Sequence, residues 1–239
     1  MVQQSTLEII NKVTTPPETT ITTNFNDSIY HQALYDAYND IRQTKIQSDV
    51  LELEGMSGCY YRCFINNLVR YIQDPRYLEV GSWKGSTACS AMSNNKATIT
   101  CIDNWSEFGG PKQEFLENTS KHTNKDINFT FKEANCSTVD YTTIGKYNIY
   151  LYDGHHSEMS QYYGIIHAQP ALDDVYIQIV DDYNWAEVRR GTERAIKDLN
   201  LQILEEINIR TTLNNAHTSI YQKISHWHNG YYIAVLKKP

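Results

Sequence analysis

Glu79-Val80-Gly81-Ser82-Trp83-Lys84-Gly85-Ser86-Thr87 joins a short apolar run, Tyr77–Val80, to a segment with helical character, Ser86–Met92. Two glycines flanking a three-residue turn let the backbone approach a ligand closely, and a helix start favours negative charge. The stretch departs from both common phosphate-binding patterns. A dinucleotide fingerprint needs a glycine where Trp83 stands, and a P-loop needs the lysine after its second glycine, whereas Lys84 precedes Gly85. Glu79 also disfavours a polyphosphate and suits a cationic or hydroxyl-bearing ligand. Taken alone, the stretch is equally a plain tight turn between strand and helix.

Outward from this turn, short apolar runs alternate with helix-sized segments. The runs are Tyr77–Val80, Thr98–Ile102, Asn128–Phe131, Asn148–Tyr152, Val175–Val180, Leu201–Ile207 and Tyr231–Leu236. Helices are expected at Ser86–Met92, Lys112–Lys121, Thr138–Ile144, Met159–Leu172 and Trp185–Leu199. Strands separated by helical crossovers predict an α/β fold with a mostly parallel seven-stranded sheet and helices on both faces. The last two runs lack a convincing helix between them, so the sheet is expected to finish with an antiparallel strand. Before Pro75 lie two further helical patterns, Ile29–Ile41 and Tyr61–Ile72, preceded by a loose Thr-, Asn- and Gln-rich arm over residues 1–25. The expected division is residues 1–75, an arm and helical extension serving as lid or dimer contact, and 76–239, a catalytic domain.

Composition narrows the function class. The 239 residues carry 21 Lys+Arg against 28 Asp+Glu, a net charge of −7, which argues against a protein that holds nucleic acid by neutralising phosphates. No apolar run approaches the ~20 residues of a membrane helix. The start MVQQSTLEIINKVTT has neither the basic nor the apolar part of a signal peptide, and five cysteines without a C-x-x-C pair read as buried reduced thiols. A cytoplasmic protein is expected.

In open α/β sheets ligands bind beyond the carboxyl ends of the strands. The second run ends at Asp103, 22 positions after Gly81, where an acid accepts hydrogen bonds from the ribose of a nucleoside. Read singly, Asp103 is a turn former or helix cap. The fourth run ends at Asp153-Gly154-His155-His156-Ser157 and the fifth at Asp181-Asp182-Tyr183-Asn184-Trp185. If these strands are neighbours, three carboxylates meet and repel unless a cation sits among them. Hard oxygen ligands suit Mg2+ or Ca2+, with Mn2+ also compatible. The adjacent histidines are candidate general bases.

These elements together resemble the class I S-adenosylmethionine-dependent methyltransferases, a Rossmann-like fold. The resemblance covers Arg76 to the C-terminus and rests on Glu79-x-Gly81-x-x-x-Gly85-Ser86, Asp103 and the late carboxylates. Asp153-Gly154-x-His156-Ser157 with Asp181-Asp182-Tyr183 is similar to the metal-dependent O-methyltransferases of macrolide and aminocoumarin sugars. The resemblance implies that Gly81, Ser82, Gly85 and Ser86 approach the methionine part of S-adenosylmethionine, with Glu79 beneath it. It further implies Asp103 on the ribose, Asn104 or Trp105 beside the adenine, and Asn135 at the adenine amino group. Asp153, Asp181 and Asp182 would ligate Mg2+ or another hard divalent cation, with Asp153 also bordering the cofactor. His156 is the favoured base and His155 the alternative, because members of the family differ at these two positions.

The implied reaction is O-methylation of a small-molecule acceptor, a sugar or other vicinal diol. The rival from another class is a degenerate methyltransferase-like domain that binds a ligand without catalysis. A nicotinamide oxidoreductase is opposed by Trp83 in the turn, while hydrolysis or hydroxylation on the same carboxylates stays open. Trp83, Trp105 and Trp185 are read equally as cleft walls and as core. His226-Trp227-His228, alternating on a strand, is read as a surface or partner contact. The N-terminal helices are read as a lid or as the contact of a homo-oligomer.

Overall fold

Strand Tyr147–Tyr152 (β5) shows how this sequence builds two layers on one sheet. Its six residues are all buried, and successive side chains point to opposite faces. Ile149 and Leu151 join one apolar cluster with Phe64, Ile65, Leu68 and Phe115. Tyr150 and Tyr152 join another with Leu78, Ile165, Val188 and Ala195. Burial on both faces is what a continuous apolar run predicts for a central parallel strand.

The computed structural model describes residues 19–219 and 222–239. Besides β5 it contains strands Thr20–Asn24 (β1), Arg76–Val80 (β2), Ala97–Asp103 (β3), Ile127–Glu133 (β4), Leu172–Val180 (β6), Gln202–Arg210 (β7) and Tyr231–Lys237 (β8). Helices are His31–Asn39 (α1), Ser48–Leu51 (α2), Cys59–Tyr71 (α3), Ser86–Met92 (α4), Lys112–His122 (α5), Glu158–Ala168 (α6) and Ala186–Asp198 (α7). The sheet runs β4-β3-β2-β5-β6-β8-β7-β1. From β4 to β6 every pairing is parallel, β8 is antiparallel to both β6 and β7, and β1 is antiparallel to β7. Among the described residues no helix is long and apolar enough to cross a membrane.

The sheet therefore has eight strands rather than seven. The additional strand, Thr-Ile-Thr-Thr-Asn, comes from the arm read as loose, whose residues 1–18 lie outside the described ones. Its β-branched threonines suit an edge strand, but a mostly exposed polar run gives no apolar alternation to detect. The helix expected at Thr138–Ile144 is absent. A short 3-10 turn, Cys136–Thr138, stands there instead, and Asp140 Oδ1 then accepts from the Thr142 amide at 3.0 Å and its hydroxyl at 2.6 Å. Such local side-chain bonds compete with helix formation. The short helix α2 falls in a stretch that gives no helical signal.

Helix α3 is buried along nearly its whole length. Some of its polar atoms are matched, since Asn66 Nδ2 donates to the carbonyls of Ser90 and Ser93 and Asn67 Nδ2 to that of Asp40, while Asn67 Oδ1 is buried without a partner. Four of the five cysteines, Cys59, Cys63, Cys89 and Cys101, are buried free thiols.

Helix α6 packs against β5 through Gly164, where a Cβ would lie 2.1 Å from Tyr152 Cε2. Gly164→Ala is expected to cost about 1–3 kcal/mol by overpacking. Urea unfolding checks this; an unchanged midpoint would refute the packing account.

Candidate functional site

Strand order reverses between β2 and β5, and their carboxyl ends touch. The Asp153 amide donates to the Val80 carbonyl at 2.9 Å. Gly81 has φ of 85°, and a Cβ on it would lie 1.8 Å from the Asp153 carbonyl oxygen. Only glycine meets both conditions. The turn then winds through Trp83 at φ 45° and Gly85 at φ 78° into α4.

Asp103 locks this turn. Its Oδ2 accepts from the amides of Ser82 and Trp83, each at 2.8 Å, and its Oδ1 from the Trp105 amide at 2.7 Å. A carboxylate has about four acceptor positions, so one remains for an outside hydroxyl. Trp105 is 7% exposed and packs on Phe115 and Phe131, while its indole N–H donates to the Trp83 carbonyl at 2.8 Å. It is thus part of the core that braces the turn. Asn104 and Asn135 are exposed on the rim. Their side-chain oxygens already accept from Ser106 and Ser137 respectively.

Beneath the turn Glu79 is fully buried. The Tyr77 hydroxyl donates to its Oε2 at 2.6 Å, while Oε1 has no partner. Burial pushes its carboxyl up to about 7. Beside it stand Asp153, at the end of β5, and Asp181 and Asp182, at the end of β6, joined by the Asp181 amide donating to the Tyr152 carbonyl. Lost hydration, then repulsion among the neighbouring carboxyls, holds Asp153 and Asp181 well above the usual carboxylate range. Buried Asp181 Oδ1 and Asp182 Oδ1 lack hydrogen-bond partners.

His156 projects into this group. Its Nε2 lies 3.2 Å from Asp182 Oδ2 and 3.6 Å from Asp153 Oδ1, and its Nδ1 is buried without a partner. Burial lowers its pKa against the opposing pull of Asp182, which favours the neutral ring. The Trp185 ring meets it edge-on at 5.4 Å. His155 is exposed, and its Nδ1 accepts from the Ser157 amide at 3.2 Å. The two candidate bases are therefore separated: His156 lies among the carboxylates and His155 outside them.

Two tyrosines complete the site without having been legible in the sequence. Tyr61 of α3 and Tyr231 of β8 stack at 3.8 Å, and both buried hydroxyls lack partners near Asp153 and Asp181. The usable signal was a tyrosine at the start of a strand beside the carboxylate ends. His226 and His228 are buried, correcting the expected surface patch. They lie in the turn before β8, where His226 stacks on Tyr60 at 4.0 Å. Its carbonyl accepts from the Tyr60 amide, and Gly58 makes room, since a Cβ there would lie 2.2 Å from that oxygen.

The donor chemistry of Asp153, Asp181 and Asp182 fits a hard divalent cation, with unpartnered oxygens on two of the three. Among the described residues, however, no group of three or more His, Cys, Asp or Glu side chains stands in a formed metal-holding arrangement. The His156 ring lies between two of the carboxylates.

No family model and no curated protein matches this chain. Solved structures share its fold. An O-methyltransferase from Bacillus cereus in complex with SAH superimposes with a TM-score of 0.54 at 11% identity, covering 84% of this chain and 91% of that one. The O-methyltransferase TomG from Streptomyces achromogenes, involved in tomaymycin synthesis and in complex with SAM, gives 0.52 at 12% identity, covering 89% and 92%. TrmN from Thermus thermophilus gives 0.53 at 11% identity, but this chain covers 80% of its own length and only 52% of that protein.

Two outcomes test the geometry. Asp103→Ala frees three turn amides and is expected to cost about 2–4 kcal/mol in urea unfolding; wild-type stability would contradict the locking role. Glu79 has a folded pKa raised above the ordinary 4.5 to about 7. Its contribution to stability is thus fully present below about 4.5 and is lost as pH rises through about 7. Glu79→Gln is expected to flatten the stability–pH profile in that window, and an identical slope would remove burial of Glu79 as its cause.

Proposed function

We propose that this chain is an S-adenosylmethionine-dependent O-methyltransferase acting on a hydroxyl of a small molecule, with help from a divalent cation. One observation carries the reading. Buried polar atoms without partners gather at the carboxyl ends of β2, β5 and β6: Glu79 Oε1, Ser82 Oγ, Asp181 Oδ1, Asp182 Oδ1 and His156 Nδ1. Buried polar groups are ordinarily satisfied, so such a concentration points to partners that arrive with a ligand. The gathering is acidic, which suits a ligand bearing positive charge. The fold shared with methyltransferases supports the same reading.

When bound, the cofactor supplies an electrophilic methyl on a cationic sulfur, and the cation lowers the pKa of an acceptor hydroxyl. The chain's own residues do the rest. Gly81, Ser82, Gly85 and Ser86 offer a close backbone approach to the amino-acid part of the cofactor. Glu79 adds acidic character beneath it, and the remaining acceptor position of Asp103 serves a ribose hydroxyl. Asn104, Trp105 and Asn135 border the adenine side. Asp153, Asp181 and Asp182 would hold the cation.

His156, neutral at physiological pH, receives the acceptor proton and passes it to solvent. Burial among carboxylates suits that work, because the charge gained on the ring is compensated by Asp182 at 3.2 Å. Fixing acceptor and methyl group in line supplies much of the rate. The engagement of Asp103 by three backbone amides favours a second reading, a domain that binds ligand without methyl transfer.

The test is transfer of a labelled methyl group to a panel of sugars and catechols, with Mg2+ or with a chelator. His156→Ala is expected to lower kcat by about 100-fold or more while cofactor affinity stays within about threefold. Asp182→Asn is expected to act the same way. Equal loss of cofactor binding in both variants would show that these residues shape the cofactor site instead. No transfer from a protein that binds the cofactor would favour the second reading.

A further inference from the structure

Among the described residues Arg62 is the largest fully buried side chain. Its guanidinium is held on three sides: Nε donates to Ser57 Oγ at 3.0 Å, and Nη1 to the carbonyls of Leu51 at 3.0 Å and Leu53 at 2.8 Å. Nη2 has no partner at all. Burial lowers the group only to about 10, so it is cationic at neutral pH. Burial outweighs the opposing influence of Tyr231, Cys59, Cys63 and Glu52, and the Glu52 carboxylate is already paired with Lys223 at 2.8 Å. A buried cation with two unused N–H donors and no ion pair of its own among the described residues is costly unless something completes it.

The unused nitrogen has a defined neighbourhood. Gly55 is the contact point, since a Cβ there would lie 1.9 Å from Ser86 Oγ and 2.8 Å from Arg62 Nη2. Ser57 Oγ, which orients Arg62, lies 3.5 Å from Ser86 Oγ. Arg62, Ser57 and Gly55 therefore converge on the residue that ends the glycine turn and begins α4. The other orphan groups of the site are acids, serine and tyrosine hydroxyls and an imidazole, so Arg62 is the cationic pole of an otherwise acidic gathering. A ligand suited to both poles carries a positive centre and a carboxylate.

We infer that Arg62 Nη2, with Ser86 beside it, forms a carboxylate subsite that receives the α-carboxylate of the cofactor's amino-acid part. The inference rests on the methyltransferase reading and deepens it, because it assigns a binding role to the helix that precedes the parallel sheet. Arg62 is here a binding residue with no part in proton transfer. Ser57 positions it, and Gly55 keeps the covering segment close.

Calorimetric titration of the full chain with two ligands tests this. S-adenosylhomocysteine carries the amino-acid part; 5′-methylthioadenosine has the same nucleoside and lacks it. Arg62→Gln is expected to weaken S-adenosylhomocysteine by at least ~10-fold and to leave 5′-methylthioadenosine within about threefold. Arg62→Lys should recover part of the loss. Ser57→Ala, which leaves the cation in place, should weaken the first ligand alone and more mildly, and it serves where Arg62→Gln does not fold. Equal losses for both ligands, or none for either, overturn the subsite while leaving the methyltransferase reading intact. Failure of the wild-type chain to bind either ligand overturns both.

Discussion

The site depends on the contact between Gly81 and the Asp153 carbonyl. Neighbouring parallel strands diverge into opposite crossovers at this point, and the absence of a side chain at Gly81 lets the two carboxyl ends lie against one another. That contact puts the glycine turn, which Asp103 locks, directly beside the carboxylates of β5 and β6. A Cβ here would separate the turn that Asp103 locks from the strand ends that carry acids and an imidazole. The topology thus makes one glycine the condition for bringing the turn and the acidic strand ends together.

The electrostatic cost of the arrangement is visible in the protein itself. Glu79, Asp153 and Asp181 are all held above the usual carboxylate range, chiefly by lost hydration. Arg62, buried across the turn, lacks a partner for one nitrogen. In a fold optimised for stability alone these groups would be paired or replaced by apolar residues. Their persistence together at one end of the sheet is the pattern of stability given up where a ligand binds.

How much of this the sequence discloses depends on the kind of residue. The parallel strands are legible because burial on both faces leaves continuous apolar runs, as in Tyr147–Tyr152. The glycine turn and the strand-end acids are legible because their spacing fixes where they fall. Thr20–Asn24 is not, since an edge strand of threonines has no apolar face. Thr138–Ile144 misleads because Asp140 spends its side chain on local bonds that no periodicity reports. Asp103 is legible as a strand-end acid, yet its three amide contacts depend on a turn only folding creates. Arg62, Tyr61 and Tyr231 are not legible for a common reason: each buries a polar atom without a partner, and that is a tertiary property. The burial of His226 and His228 is not legible because a polar segment between strands ordinarily faces solvent.

The proposed cofactor site lies at the turn above Glu79 and beside Asp103. Calorimetric titration with S-adenosylmethionine in the presence of a chelator addresses it most directly. The account predicts saturable one-to-one binding that survives chelation, with the carboxylates reserved for the acceptor step. Absence of binding both with the chelator and with added Mg2+ would contradict it.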